Sequence, residues 1–451
     1  MRRPASYLAL QVLALSSVAG CGSWKRVGAG ERAATAETLT QIFDTEAYYR
    51  RLGRLAAGQP LPFIGSVAFA AGNADTSLTI VGLSLENRAL GFQKEGDGFV
   101  ARYRVEMTLT GGREPLSVAR DELVKVATFQ ETQRSDESVL FQQTFSVVPG
   151  KYKLAVALRD PATGTTQRAE TDIEAPRFAR GSTSAPILAY QVRGRSQLGD
   201  TLSVVLNPRG SVAYGGDSLL AYVEGYGFTG PTRVPIEIRT ETDSVVYSGA
   251  LTFRGGTPVE SQVLKLRPDS LALGALTISV GQGDSARQSV ALVSFSAAWI
   301  VTNYDQMLEL LRYFGHDRML DSIRNASESD RPALWRALWK NTDPDPTTSE
   351  NEAINTYFTR LALANQRFRD EGIAGWRTDR GEVFISIGEP DETFETTPGQ
   401  VGGRLLRWNY INLRLALFFQ DETGFGRYRM TPGSRAEFER VLTRLRRQAG
   451  Q

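Results

Sequence analysis

The sequence predicts a multidomain protein: two antiparallel β-sandwich domains of immunoglobulin-like type, then an α+β domain of helices with a small antiparallel sheet. Three observations carry this. Apolar residues alternate with polar ones in short runs between about residues 60 and 296. The period becomes helical at Trp299. Alternation then returns from Val383 to the region of Met430. At roughly 100 to 200 residues per domain, 451 residues suit about three domains. With 41% hydrophobic and 23% charged residues the composition is that of ordinary globular domains, and with one cysteine the chain has no disulfide to lean on, so packing must stabilise it.

That cysteine is the most informative residue. Met1-Arg2-Arg3, a mostly apolar run from Tyr7 to Ala19 and the small residues Val18-Ala19-Gly20 describe a secretory signal over residues 1–20. The apolar run falls short of the roughly 20 residues that a spanning helix needs. A cysteine directly after the small residues resembles the lipobox of bacterial lipoproteins. The resemblance implies cleavage before Cys21, acylation of its thiol and of the new amine, and a membrane partner reached through that lipid. Each buried methylene contributes about 0.8 kcal/mol, so one acyl chain holds marginally and two or three hold stably. Gly22, where an aspartate would retain the protein at the inner membrane, resembles an outer-membrane address. The expected location is lipid-anchored at the outer membrane, facing the periplasm or the cell surface.

Without Arg2 and Arg3 the chain carries 50 basic and 50 acidic residues. This balance argues against a nucleic-acid partner, which would favour a basic face. His316 is the single histidine, in the turn Phe314-Gly315-His316-Asp317. Zinc hydrolases need two or three histidines, serine and cysteine hydrolases need one as base, and no G-x-S-x-G elbow is present. The turn reads as lying between two helices, with His316 a helix cap or a surface residue. The expectation is a protein with no cofactor or metal, and not an enzyme.

Residues 21–34 are small, polar and charged and read as a lipidated tether. Leu39, Ile42, Phe43, Tyr49 and Leu52 place a helix within residues 35–59, ended by Gly58-Gln59-Pro60. The first sandwich spans residues 60–180. Phe99, Ala101, Tyr103, Val105, Met107 and Leu109 alternate, as do Tyr152, Leu154, Val156 and Leu158, with turns at Gly111-Gly112 and Pro149-Gly150. The second spans residues 181–296, with Leu219, Ala221 and Val223, then Ile236 and Ile238, then Leu276, Ile278 and Val280. Pro149 to Val156 parallels Leu273 to Val280, which suggests related sandwiches. Gly225-Tyr226-Gly227-Phe228-Thr229-Gly230 matches a dinucleotide-type G-x-G-x-x-G, but Pro231, Pro235 and an alternating run follow where a helix must hold the pyrophosphate. It reads as a turn between strands.

The last region, residues 297–451, opens with Tyr304, Met307, Leu308, Leu311 and Phe314 on one helical face. A second helix starts at Ser329 or Asp330 with Pro332 in its first turn and carries Leu334, Trp335, Leu338 and Trp339. Ser349-Glu350-Asn351-Glu352 fits a capping box before a third helix with Ile354, Tyr357, Phe358, Leu361 and Phe368. Val383, Ile385 and Ile387 are expected on a strand, Gly388-Glu389-Pro390-Asp391 on a tight turn, and Glu392 to Gly403 on a polar, mobile contact loop. Leu406, Trp408 and Tyr410 form the next strand, Leu413 to Phe419 another, and Gly424 to Met430 a turn and a fourth. A final helix from Ser434 to Gln448 turns Phe438, Val441, Leu442 and Leu445 inward, and arginines at its end complement the helix dipole.

Gly375-Trp376-x-Thr378-Asp379-Arg380-Gly381, Gly388, Pro390 and Asp391, and Trp408-x-Tyr410 resemble the signature of the GWxTD-domain proteins, bacterial secreted and lipoprotein chains. Trp339, Asp343-Pro344, Asn351-Glu352, Tyr357 and Ala364-Asn365 fit the same family, over about residues 300–430. The resemblance carries no established activity. Two roles stay open for the motif: Trp376 anchoring sheet to helices, with Asp379 paired to Arg380 or Arg360; or Trp376, Asp379 and Arg380 lining a ligand groove. Three functions follow: an envelope lipoprotein presenting this domain to a protein or glycan; an accessory factor of an outer-membrane assembly or secretion complex; and a glycan hydrolase built from carboxylates such as Asp379, Glu389 and Asp391.

Overall fold

The computed structural model describes residues 24–27, 45–134, 139–267, 271–296, 299–346, 350–368, 373–396 and 403–448. Cys21, the signal segment and most of the expected tether and first helix lie outside the described residues. The chain forms two compact units, residues 32–366 and residues 1–31 with 367–450. The sequence reading draws its last boundary at residue 297; the contacts gather the helices up to residue 366 with the sandwiches.

The four described N-terminal residues form β1 (Trp24–Val27), and helix α1 (Thr45–Arg51) follows. The first sandwich holds β2 (Leu55–Ala57), β3 (Phe63–Ala71), β4 (Ser77–Leu85), β5 (Gln93–Glu95), β6 (Gly98–Thr110), β7 (Leu116–Val126), β8 (Val139–Val147), β9 (Gly150–Asp160) and β10 (Thr165–Ala175). The short helix α2 (Phe129–Thr132) lies between β7 and β8. One sheet runs β2-β3-β4-β8. The other runs β10-β9-β6, with β7 and β5 also paired to β6. Val81, Leu83 and Leu85 of β4 meet Tyr103, Val105 and Met107 of β6 and Val156 and Leu158 of β9 in one core. This is the alternation that the sequence shows, read out as burial on one face.

The second sandwich holds β11 (Ser182–Thr183), β12 (Ile187–Arg193), β13 (Ser203–Leu206), β14 (Ser211–Ala213), β15 (Leu219–Tyr226), β16 (Thr232–Thr240), β17 (Val245–Phe253), β18 (Val259–Leu266), β19 (Gly274–Val280) and β20 (Arg287–Ser294). Its sheets run β11-β15-β12-β13, with β18 on β15, and β14-β20-β19-β16-β17. The β14–β20 pair is parallel, and every other pair in both sandwiches is antiparallel. Both sandwiches share one connectivity. In each, a B-type strand pairs an E-type strand (β4 with β8, β15 with β18), facing a G-F-C-C′ sheet (β10-β9-β6-β7 and β20-β19-β16-β17). This is the immunoglobulin-type arrangement. Strands β9 and β19 hold the same place in it, and they carry the two similar segments at Pro149 and Leu273.

The sandwiches stack on each other through sheet faces. Ile80 of β4 packs with Ile187 and Ala189 of β12, Val204 and Leu206 of β13, and Tyr222 of β15. Both faces of β4 are therefore buried, and Gly82 fits the seam closely: a Cβ would stand 3.1 Å from Leu206 and 3.3 Å from Pro208. Gln142 closes the same seam, donating to the Val204 carbonyl and accepting from the Leu206 amide, both at 2.9 Å.

Four helices complete this unit: α3 (Tyr304–Leu310), α4 (Asp317–Arg324), α5 (Arg331–Thr342) and α6 (Glu352–Arg367). Trp299 stacks on Phe358 at 4.1 Å, and Trp335 meets Phe295 edge-on at 4.7 Å. Pro332 stands in the first turn of α5, as the sequence implies. Helix α4 follows His316, where the sequence reading places a turn between helices, and buries only Leu320 and Ile323 of its eight residues. His316 is its N-cap, at φ 56°, and burial lowers its pKa against the charge of Asp317. Asn351 caps α6: its Oδ1 accepts from the Ile354 amide at 2.9 Å, while its Nδ2 donates to the Trp339 carbonyl at 2.7 Å. The amide ties the end of α5 to the start of α6, a second duty that a capping-box pattern does not reveal.

The smaller unit consists of helix α7 (Asp379–Ile387), strands β21 (Glu392–Thr396), β22 (Arg404–Tyr410), β23 (Leu415–Asp421) and β24 (Arg429–Met430), and helix α8 (Pro432–Gln448). Its sheet runs β1-β21-β22-β23-β24, antiparallel throughout. Three expectations are corrected here. The segment with Val383, Ile385 and Ile387 is a helix, capped by the Thr378 side chain and buried at Val383, Phe384 and Ile385. Residues 392–396 of the expected loop are a strand, and 397–402 lie outside the described residues. Residues 24–27 of the expected tether are the outer strand of this sheet.

Candidate functional site

The signature residues gather at the start of α7 and the sheet beside it. Gly375, Trp376 and Arg377 form a single 3₁₀ turn, and Trp376 is buried to 9% exposure with the Arg377 guanidinium 4.9 Å from its ring. Thr378 is the N-cap of α7. Its Oγ1 accepts from the Gly381 amide at 3.0 Å and donates to the Gly375 carbonyl at 2.8 Å, so one hydroxyl joins the turn to the helix. Gly381 has no alternative at its place. A Cβ there would stand 2.1 Å from the Gly375 oxygen, closer than any contact that could form.

Asp379 supplies the next tie. Its Oδ2 accepts from the Met430 amide at 2.7 Å, and its Oδ1 pairs with the Arg435 guanidinium at 2.9 Å. Glu382 takes the other arm of Arg435 at 2.6 Å. Burial alone would lower the Arg435 pKa; the hydrogen bond and charge of Glu382, with the charge of Asp379, raise it instead. Asp379 thus holds Arg435, an arginine that the sequence reading did not name. The Arg380 guanidinium stands 4.5 Å from the Tyr428 ring and 5.4 Å from the Phe368 ring.

The turn after α7 behaves as its residues suggest. Gly388 takes φ 87°, a conformation that favours glycine, and its carbonyl accepts from the Tyr410 hydroxyl at 2.9 Å. Pro390 follows, and Asp391 Oδ2 accepts from the Ile411 amide at 2.7 Å. Trp408 is buried between Phe368 at 5.4 Å and Phe419 at 4.9 Å. The structure thus brings Gly375, Thr378, Asp379 and Gly381 together at one helix start. It places Gly388, Pro390, Asp391 and Tyr410 at the other end of that helix, and Trp408 in the core.

Sequence reasoning missed Asp421 and Arg435. Asp421 is buried and accepts from the amides of Thr423, Gly424 and Gly426; burial would raise its pKa, and these bonds lower it. An aspartate followed by x-Thr-Gly-x-Gly was the available signal. Arg435 had none, because it lies more than fifty residues from the carboxylates that it serves.

Residues 278–413 match the family model described as the GWxTD domain. The C-terminal third carries a GWxTD domain. No curated protein matches the chain. Among solved structures, the calcium binding domain CBD12 of CALX1.1 is similar at 13% identity and a TM-score of 0.13, covering 60% of this chain and 93% of that one. A tetra-tandem repeat of a large adhesion protein is similar at 14% identity and a TM-score of 0.13, covering 51% and 48%. An adhesin from Mobiluncus mulieris is similar at 11% identity and a TM-score of 0.13, covering 53% and 95%.

Outside the GWxTD signature, the glycine-rich turn at 225–230 joins β15 to β16, as its prolines imply. It lines an open cleft of about 680 Å³ with Phe178, Arg180 and Leu198. Among the described residues no group of histidine, cysteine and carboxylate side chains is arranged to hold a metal ion, and no helix is long and apolar enough to cross a membrane.

Proposed function

We propose that this protein is a non-enzymatic cell-envelope lipoprotein, anchored through acylated Cys21, whose GWxTD unit recognises a protein or glycan partner. The observation that carries this reading is the direction in which the signature spends its polar groups. Thr378, Asp379, Gly381 and Asp391 bind the backbone and arginines of their own unit. A signature so used is a frame for a recognition surface. The hydrolase alternative asks for two carboxylates free to face one substrate, whereas Asp379 and Glu382 share Arg435 and Glu389 pairs with Arg367 at 3.0 Å.

The test is fractionation and cross-linking in cells of the full chain and of Cys21→Ser. The wild type is expected in the membrane fraction with one reproducible cross-linked partner, and Cys21→Ser in the soluble fraction. Retention of Cys21→Ser in membranes would remove the anchoring claim. A folded, anchored protein that cross-links to no protein or glycan would remove the recognition claim. Recovery of an outer-membrane barrel protein would assign the narrower role in envelope assembly.

A further inference from the structure

Among the described residues, β7 pairs with a single strand, β6, over residues 116–126. Its partners there include Tyr103, Val105 and Met107, which belong to the sandwich core, so Glu122, Arg120 and Val118 opposite them share the core-facing side. Leu116, Val124 and Val126 lie on that side too, and Ser117, Ala119, Asp121, Leu123 and Lys125 on the other. Val118 and Val124 pack against the core, but the strand is not fully covered. Leu116 is 39% exposed, Leu123 is 47% exposed, and Arg120 is exposed between them. An edge strand of eleven residues, uncovered in this way, is a template for a further strand.

The residues of β7 select which strand. Natural edges resist pairing by carrying charge on the inward side. Here that side carries one charge of each sign, Arg120 and Glu122, and among the described residues neither forms an ion pair. Two antiparallel copies of one strand meet about a two-fold axis that keeps each face on its own side, and the residue on the axis stands opposite itself. With Asp121 on the axis, Arg120 of each copy stands opposite Glu122 of the other. The same register sets Val118 opposite Val124 and Leu116 opposite Val126. An axis at residue 119, 120, 122 or 123 instead sets a core-facing charge opposite its like or against an apolar residue. On the outer side Leu123 falls opposite Ala119, and Asp121 meets Asp121. Arg104 already neutralises that aspartate, with Nη1 3.0 and 2.9 Å from its two oxygens. The charges that bar other strands from this edge therefore admit a second copy, in one register.

We propose that β7 is the interface of a symmetric homodimer, in which two copies join edge to edge about Asp121 and their two sheets become one. Strand β7 belongs to the β-rich unit, and the tests use purified protein. They therefore stand or fall separately from membrane anchoring and from recognition by the GWxTD unit.

The first measurement is sedimentation velocity of the chain from residue 21 onward, carrying Cys21→Ser. This parent is expected to dimerise. Arg120→Glu and Glu122→Arg are each expected to weaken the dimer at least about ten-fold, because each sets two like-charge pairs where two opposite ones stood. An equimolar mixture of the two variants is expected to recover the dimer, since each supplies the sign that the other lacks; recovery also shows that both remain folded. A parent still monomeric at about 0.5 mM would overturn the proposal. So would single variants that dimerise as the parent does, or a mixture no tighter than its components. Cross-linking tests the register. With Cys21 replaced, Asp121→Cys supplies the one cysteine of the chain, opposite itself on the axis, and a mild oxidant is expected to link it into a disulfide dimer. Leu123→Cys places the two thiols four residues apart along the strands, about 13 Å, and is expected to stay unlinked. Equal linking of both variants would overturn the register.

Discussion

Two of the ionic networks among the described residues differ in burial, in reach and in visibility. In the β-rich unit, Arg195 and Glu224 pair at 2.7 Å with side chains 1% and 0% exposed. Tyr222 and Tyr226 donate to the two Glu224 oxygens at 2.7 and 2.8 Å, and Arg195 also donates to the Ala71 carbonyl of the first sandwich at 2.6 Å. Burial pulls the Arg195 pKa down, and Glu224 more than offsets it. In the GWxTD unit, Arg435 and Asp379 pair at 2.9 Å with side chains 31% and 21% exposed. The second network contains a recognisable signature residue and the first contains none. The comparison teaches that a conspicuous motif can use a partly exposed ion pair, while a fully buried one is anonymous in sequence.

The sharpest test of this contrast is Glu224→Ala, which leaves Arg195 charged and buried without its partner. A loss of about 3–5 kcal/mol is expected in denaturant unfolding of the β-rich unit. Replacing both residues, Arg195→Met with Glu224→Leu, is expected to recover most of it; a double variant as unstable as the single one would break the argument. Next in size is Gly381→Ala, whose methyl would collide with the Gly375 oxygen, costing about 1–3 kcal/mol through forced backbone movement. Thermal unfolding of the variant with no change would show that the turn can yield. Thr378→Ala removes the cap and is expected to cost about 1 kcal/mol, with Thr378→Ser retaining most of the stability. Asp379→Asn keeps the acceptor for Met430 and loses only a partly exposed charge pair, so a change under about 1 kcal/mol is expected in the same assay. If Asp379→Asn proved costlier than Glu224→Ala, the comparison would be reversed.

A pH scan adds a smaller test. Burial, then the hydrogen bond to Glu395, push the Tyr428 pKa up to about 12. A tyrosine whose proton is held more tightly in the folded state contributes its full stability below about pH 10, its ordinary value, and loses it as pH rises towards 12. Tyr428→Phe is expected to flatten the alkaline slope of unfolding for the GWxTD unit and to cost about 1 kcal/mol at neutral pH, where the hydrogen bond to Glu395 is lost. An unaltered slope would discard Tyr428 as its source.

Much of the fold was legible because it depends on local patterns. The alternation of Tyr103, Val105, Met107 and Leu109 is the buried face of β6, and Pro332 opens α5 as a first-turn proline should. The motif was legible as a location, since Gly375 to Gly381 and Gly388 to Asp391 do lie at the two ends of one element. Its element type was misread. Val383, Ile385 and Ile387 have β-branched character and strand-like spacing, yet the Thr378 cap and burial of Phe384 on the same element favour a helix. Propensity in a nine-residue segment is too weak to outweigh a cap and core burial around it.

By itself, the sequence determined which stretches alternate and which turn helically, where glycine and proline punctuate them, and that a GWxTD signature lies in the C-terminal third. It also supports two sandwiches of one kind, through the similar segments that become β9 and β19. The tertiary structure decided that Asp379 meets Arg435, that Arg195 and Glu224 join the sandwiches, and that residues 24–27 close the β21 edge. The physical reason is range. Periodicity and capping act between residues a few positions apart, where chain geometry fixes who can meet. Charge pairing and strand addition join residues that any number of folds would separate, and only the packed chain selects among them.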